Sequence, residues 1–512
     1  MEIEQVTSQF KKRQDVKILG TSEPTSSVWP SLHSFRNFNI ADEKFEHLFA
    51  KLYQWLDSLT GESSYKFFHE DSLGWYPYTV IRDLRMVDIV KSISFSSGRY
   101  NDAPAFARCE MSAKYPRGST DGRIVTSGFG RGFGTNVDSV LSKTIGEFLE
   151  RYFLTLFKKK DLVRSSYSVL RSRVKAIDPT ILSHFNDDQK ELFPQMIFSN
   201  NSIFYWERLT RASTGEEVLV PAQLVYWNYD RADDQPEPQL AETNTNGAGG
   251  MFTKEGAILA GIYELIQRDA FLIYWLNELT PPRVDPESVP DEEFQSIYKD
   301  SRRYGFNIHC LNTTLDTGVP SFVVVIIDNS SRGPYFVLGG GCQADPIRAI
   351  RRAIEEAWSI YYWVRPRPKL LLPDGYCPFR DSRIGQYERL RMCASHEMAQ
   401  HYNFLIRGKL NHFDEHIFKY PKSFLTERDE FDFLIKQVES LGCGYEVYYF
   451  LARHNILRRL GYNSARVIVP NFVRLYLHEH LAPMAARRLR DVPLKIGVKP
   501  RKEPYPVPHP FP

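Results

Sequence analysis

Nothing in these 512 residues marks a membrane span, a disulfide framework or a common nucleotide loop. No run of eighteen apolar residues occurs, and residues 1–17 are polar, without the apolar core of a signal peptide. The expectation is a cytoplasmic protein with no membrane association. An excess of one charge is also missing. The 65 basic and 62 acidic residues leave a net +3, which gives no basic footprint for nucleic acid. The six cysteines (Cys109, Cys310, Cys342, Cys377, Cys393, Cys443) form no CxxC pair, which argues against a zinc ribbon and for reduced, structural thiols. No GxxxxGK[ST] loop and no GxSxG elbow appears, and residues 128–134 read GxGxGxG rather than the dinucleotide GxGxxG. His396 and His401 miss the zincin HExxH spacing by one residue, and five positions on a helix turn the second about 140° away from the first.

What is present is ample apolar material, 42% of the chain with 14% aromatic, enough for a large core. Residues 17–35 are rich in Ser, Thr and Pro and read as irregular; residues 42–59 then show the apolar spacing of an amphipathic helix. Aromatic and alternating stretches at 73–81 and 92–95 suggest strands leading to a glycine-rich turn at 128–134. A hairpin is expected over 206–227 around Thr214-Gly215, followed by an acidic, proline-broken exposed loop at 230–242. The continuous apolar run 322–327 is a buried strand, and 335–338 is another, ending in Gly339-Gly340-Gly341. Residues 380–440 read as mostly helical, and 445–451 and 466–469 as strands.

Three helices stand out. In the first, Val140, Leu141, Thr144, Ile145, Phe148, Leu149 and Tyr152 form an apolar stripe, against which Glu147, Glu150 and Arg151 share one side. Alone, that is a solvated face with one ion pair. However, Glu264, Gln267 and Arg268 repeat the spacing on a second helix at 254–275, and Arg352 and Glu356 echo it on a third at 346–363. Each follows a glycine-rich segment, so the chain carries an internal pseudo-repeat. Unpaired buried carboxylates are costly, so three such helices suggest carboxylates converging on cations. Oxygen ligands without Cys or His suit Mg²⁺, which usually accompanies phosphates, and the arginines would face phosphate oxygens. The glycines fit tight turns or close backbone contacts equally well. At ~1.5 Å per residue, a glutamate thirteen positions into a helix lies ~20 Å from the helix start, so one helix cannot offer both its N-terminal amides and its carboxylate to one triphosphate.

Ser142-x-x-x-x-Glu147-x-x-Glu150-Arg151, then Thr243-Asn-Thr-Asn246-Gly247 through Glu264-x-x-Gln267-Arg268, then Arg352-x-x-x-Glu356, resemble the three motifs of the YcaO family. The resemblance covers residues 90–512. It implies an α+β fold of the YcaO type: mixed and antiparallel sheets with long helices packed around a central ATP and Mg²⁺ site. The expected division is an N-terminal segment 1–90 and a catalytic domain 91–512. Glu147, Glu150, Glu264, Gln267 and Glu356 are implied metal ligands; Ser142, Arg151, Asn246, Arg268 and Arg352 are implied nucleotide contacts. Gln267 stands where the family usually has a second glutamate, Phe252 where asparagine is common and Gly256 where glutamate is common.

The tail Pro504-Tyr-Pro506-Val-Pro508-His-Pro510-Phe-Pro512 has proline at every second position. By itself it is a stiff polyproline II segment, a docking peptide or spacer. It resembles the terminus of the azoline-forming cyclodehydratases, where it reaches the active site; by position, His509 or the Pro512 carboxylate is the expected general base. The implied partners are a precursor peptide, an E1-like leader-binding protein on a separate chain and an FMN-dependent azoline dehydrogenase, in an oligomeric complex.

Overall fold

The computed structural model describes residues 76–512 apart from 88, 97–103, 105, 114–129, 232–236 and 331–332. The helix expected at 42–59 and the irregular stretch at 17–35 lie outside these residues. In chain order, α1 (Tyr76–Met86), β1 (Val90–Ser96), β2 (Ala107–Ala113) and β3 (Gly130–Gly134) lead to α2 (Val137–Phe153). Then come β4 (Val163–Ser166), β5 (Ile203–Arg211), β6 (Glu217–Pro221), β7 (Ala248–Met251), α3 (Lys254–Leu276) and β8 (Arg283–Val284). Next are α4 (Glu292–Arg303), β9 (Asn307–Asn312), β10 (Ser321–Ile327), β11 (Phe336–Cys342) and α5 (Pro346–Val364). The chain continues with α6 (Gln386–Cys393), β12 (Leu410–Asn411), α7 (Glu427–Glu439), β13 (Tyr448–Leu451), β14 (Asn463–Ile468) and α8 (Arg488–Lys495).

The strands form three sheets, in the orders β1-β2-β3, β11-β10-β9-β8-β12, and β4-β5-β13-β14-β7 with β6 beside β5. All pairings are antiparallel except β12 on β8. This is the expected α+β architecture of antiparallel sheets and long helices. Strand β10 is apolar from Phe322 to Ile327 because both of its faces are covered. Phe322, Val324 and Ile326 pack toward α5, while Val323, Val325 and Ile327 pack toward the second half of α3.

The pseudo-repeat becomes three strand–helix units: β3–α2, β7–α3 and β11–α5. Each helix is capped by a side chain: Asn136 accepts from Ser139 N, Thr253 from Gly256 N and Asp345 from Ile347 N. Each helix packs on its own strand and on the next unit's: α2 on β3 and β7, α3 on β7 and β11, α5 on β11 and back on β3. The three units thus close a cycle, and the helix faces between the strands look toward a common centre.

Several expectations need correcting. Residues 76–81 are not a strand but the start of α1, because Val80 and Leu84, four residues apart, pack with Ile145, Phe148 and Leu149 of α2; 73–75 lie outside the described residues. The glycines of 130–134 and 339–341 are not turns but strand residues of β3 and β11. Between Asn246 and the helix that follows, the chain forms strand β7. The 230–242 loop is not wholly exposed: Glu237, Gln239 and Leu240 are buried, and Glu237 accepts from Tyr205 N at 2.6 Å. Across 380–440 only α6 and α7 are α-helices; His396–His401 and Asn403–Ile406 are short 3₁₀ turns. The hairpin expected at 206–227 forms between β5 and β6, with Gly215 at φ +73°, but its pairing ends at Pro221 and Ala222–Leu224 is a 3₁₀ turn. All six cysteines are free, and Cys109, Cys310, Cys342 and Cys393 are buried. Among the described residues, no helix is long and apolar enough to cross a membrane.

Candidate functional site

The glycines set the site. A Cβ on Gly132 would lie 1.9 Å from Val140 O, on Gly130 2.2 Å from Thr144 O, on Gly249 2.2 Å from Ala257 O, and on Gly341 2.0 Å from Ala349 O. Each helix therefore rests directly on its own strand's backbone and runs antiparallel to it. A glutamate about three turns along the helix is thereby carried back alongside the strand segment. There the three units make the same bond. Arg131 N donates to Glu147 Oε2 at 2.6 Å, Gly247 N to Glu264 Oε2 at 3.0 Å, and Gly340 N to Glu356 Oε2 at 2.5 Å. The ~20 Å expected between glutamate and glycines does not hold: the glutamate stands about three turns, ~16 Å, from the helix start, and the glycine segment lies alongside it.

In two units the same carboxylate also holds the arginine one turn on. Arg151 Nη2 lies 2.5 Å from Glu147 Oε1, and Arg268 Nη2 lies 2.5 Å from Glu264 Oε1, with all four side chains partly buried. Asn246 joins them, accepting from Arg268 Nη1 at 2.8 Å and donating to Leu475 O at 2.6 Å. Burial pushes the Glu150 carboxyl up to about 8, with the Glu264 and Glu147 charges adding to it and Arg151 and Arg268 opposing. Burial also raises Glu356, against its bond to Gly340 N and the charges of Arg268 and Arg352. Like-charge coupling of this kind requires the three helices' glutamates to face one centre.

Gln267 also reaches it: its amide lies over Gly340, where a Cβ would come within 2.2 Å of Nε2, and the Phe511 ring shares that spot. Arg352 is exposed, with its charge on Glu356. Ser142 is exposed five residues before Glu147, about 140° around α2 from it. His509 is fully buried and Pro512 is half-buried.

Among the described residues, no three His, Cys, Asp or Glu side chains stand close enough to hold a metal ion as they are. The expected ligand set is gathered but not arranged as a cage, because Glu147 and Glu264 are turned to their own arginines and to backbone N–H groups. The chemistry of the set nonetheless fits Mg²⁺: it offers oxygen ligands, and the Glu150 carboxyl is raised first by burial and then by the Glu264 and Glu147 charges, which a divalent cation would offset.

One contributor was missed from the sequence. Arg466, on β14, is 4% exposed; Nε donates to Leu224 O at 2.9 Å, and Nη1 is buried without a hydrogen-bond partner among the described residues. Burial lowers it to about 9, with Glu264, Arg268 and Glu150 in its field. An arginine inside the run Ser464-Ala-Arg466-Val-Ile468, at a position whose neighbours are all buried, was the available signal.

Comparison with known proteins agrees with this geometry. A family profile described as YcaO cyclodehydratase, ATP- and Mg²⁺-binding, matches residues 131–473, which begin at the first strand–glutamate bond and contain all three units. The chain is 33% identical over 153 residues to an uncharacterised protein encoded in the tfuA 3′ region of Rhizobium leguminosarum bv. trifolii, covering 28% of this chain and 36% of that protein. It spans a third to a half of the length of the curated relatives it matches. Among solved structures it is similar to a heterocyclase in complex with substrate and cofactor, at TM-score 0.66 and 20% identity, over 85% of this chain and 57% of that one. It is also similar to YcaO from Methanopyrus kandleri bound with AMPPCP and Mg²⁺, at TM-score 0.53 and 16% identity, over 79% of this chain and 92% of that one. With two thirds of its length under that profile, and with the three motif glutamates meeting where the fold closes on itself, this chain belongs to the YcaO family of ATP- and Mg²⁺-binding cyclodehydratases.

Proposed function

We propose that this protein catalyses ATP- and Mg²⁺-dependent cyclodehydration of Cys, Ser or Thr residues in a ribosomally made precursor peptide, giving thiazolines or oxazolines. The observation that carries the reading is the bond repeated in all three units, from a strand N–H to a helix glutamate, which aims carboxylates and arginines at one point. A site of that make-up suits a triphosphate with its metal and contains no nucleophile of its own.

In the reaction, the side-chain thiol or hydroxyl attacks the carbonyl carbon of the preceding amide. The resulting hemiorthoamide oxygen attacks the γ-phosphorus of ATP and ADP leaves. The ring nitrogen then gives up its proton, the C–O bond breaks, and phosphate departs from a C=N bond. The peptide loses one water and ATP becomes ADP and phosphate. Glu147, Glu150, Glu264 and Glu356, with the Gln267 carbonyl, are the groups that would hold Mg²⁺. When bound, it supplies charge neutralisation to the transferring phosphoryl group. Arg151, Arg268 and Arg352 face the phosphates; Asn246 orients Arg268, and Ser142 has its nucleotide role through the motif alone. His509, expected from the tail as a general base, is enclosed with both ring nitrogens engaged, which makes it a poor proton acceptor.

The proposed setting is cytoplasmic. A leader-binding E1-like chain delivers the peptide, and an FMN-dependent dehydrogenase oxidises azolines to azoles. The test mixes the protein with the partner proteins and precursor peptide encoded alongside it and with Mg-ATP. Loss of one water per modified residue is expected. An oxygen-to-sulfur exchange would replace the reading with thioamidation, and no ATP-dependent change would leave a peptide-binding scaffold. Glu147→Gln and Glu150→Gln are each expected to abolish peptide-dependent phosphate release, and unchanged rates in both would remove the metal assignment.

A further inference from the structure

The segment 504–512 is inlaid in the body of the protein rather than projecting from it. Alternate prolines leave it few N–H groups, so its carbonyls are held by donors from elsewhere. Trp275 Nε1 donates to Val507 O at 3.0 Å and Tyr376 OH to Pro506 O at 2.9 Å, while Tyr505 N donates to Leu276 O at 2.7 Å. The strongest hold is Arg389 on α6, which is 1% exposed. Its Nη1 donates to His509 O at 2.9 Å, lies 2.5 Å from the His509 Nδ1, and comes within 3.4 Å of Phe511 O; its Nε donates to Leu477 O at 3.2 Å. The far side of the ring completes the enclosure, with His509 Nε2 2.9 Å from Tyr476 O. Arg389 Nη1 also lies 2.6 Å from Nε2, so the guanidinium sits against both ring nitrogens. It stands edge-on to Tyr476 with centroids 4.5 Å apart. Burial, reinforced by the Arg389 charge, holds the imidazole neutral.

Two residues beyond this anchor, Phe511 packs on Phe271 at 4.6 Å and shares with Gln267 the space over Gly340. Gly340 is the residue whose N–H holds Glu356. We propose that Arg389 and His509 form a latch that fixes Phe511 and Pro512 against the Gln267–Gly340 wall of the site, making Arg389 a positioning residue for the reaction. The inference rests on the cyclodehydratase reading above. Lysine cannot replace it, because a single ammonium cannot serve the ring nitrogen, two carbonyls of the tail and Leu477 O from one rigid fork.

The test compares Arg389→Lys, His509→Leu and His509→Gln, the last of which keeps an acceptor for Arg389. Hydrogen exchange is read at the Val507, His509 and Phe511 amides, together with Mg-ATP binding, thermal midpoint and kcat on the precursor peptide. In Arg389→Lys and His509→Leu, exchange at those three amides is expected to rise and kcat to fall about tenfold, with Mg-ATP affinity within about twofold of the parent and the midpoint unchanged. His509→Gln is expected to recover most of the loss. A kcat unchanged in Arg389→Lys and His509→Leu overturns the latch; so does a loss of Mg-ATP affinity and midpoint in parallel with kcat, which marks a merely structural role. The parent's own peptide turnover separates the two failures, since an inactive parent overturns the cyclodehydratase reading and the latch with it.

Discussion

Replacing Gly132 with alanine tests the idea that glycines place the glutamates. The added Cβ would stand 1.9 Å from Val140 O and 2.3 Å from Thr144 Oγ1, whereas ordinary contact begins at 3.4 Å. Helix α2 must withdraw by about 1.5 Å, which opens the 2.6 Å bond from Arg131 N to Glu147 to about 4 Å, beyond hydrogen-bond range. Overpacking costs ~1–3 kcal/mol, and losing a bond to a charged group costs ~1.5–3 kcal/mol. The two together, about 4 kcal/mol, correspond to a fall of about 4 °C in the midpoint for a unit of this size. Mg-ATP affinity is expected to fall at least about tenfold, because Glu147 and Arg151 move together. Gly134→Ala is the control, two residues along the same strand, where the nearest atoms are at 3.5 Å. Calorimetry and thermal melts of both variants decide the matter. A Gly132→Ala protein that binds and melts like Gly134→Ala would refute the reasoning.

Asp269, beside the motif arginine, is 1% exposed; it accepts from Arg488 at 2.6–3.0 Å and from Val473 N at 2.8 Å. Asp269→Ala leaves Arg488 with Asp316 and the Tyr445 hydroxyl and is expected to cost ~3–5 kcal/mol, seen as a lowered urea midpoint; an unchanged midpoint would contradict the network. His509 supplies a pH signature. Its folded pKa lies well below the ordinary 6.5, from burial and then Arg389, so the unfolded chain takes the proton first. The stability it contributes is present above 6.5 and is lost as pH falls below it. Compared with His509→Gln, the parent is expected to lose about 1 kcal/mol over the first pH unit below 6.5, and about 1.4 kcal/mol per unit further down while the folded imidazole stays neutral. Parallel stability curves for the two proteins would refute this.

Local patterning was legible where neighbours along the chain decide the outcome. The stripe from Val140 to Tyr152, the apolar run of β10 and the Thr214-Gly215 turn all formed as their spacing implies. The stretch at 76–81 misled because its aromatic and β-branched content suits a strand. Its Val80 and Leu84 instead meet α2 on one helical face, a contact that depends on residues more than sixty positions away. The glycines misled for a related reason. Glycine serves both turns and close helix–strand contact, and only the approach of Val140, Thr144 and Ala349 shows that β3 and β11 use the second.

By itself the sequence determined that glutamates and arginines recur on three helices, each after a glycine-rich segment, since that is a matter of spacing along one chain. The tertiary structure alone decided that each strand doubles back along its helix, so that Glu147, Glu264 and Glu356 end on backbone N–H groups 16 or 17 residues upstream. It also decided that the three units close into a cycle, and that Arg389 meets His509 across 120 residues to draw the proline tail inward. Those contacts follow from which faces pack, and packing joins residues whose separation along the chain carries no signal of their nearness.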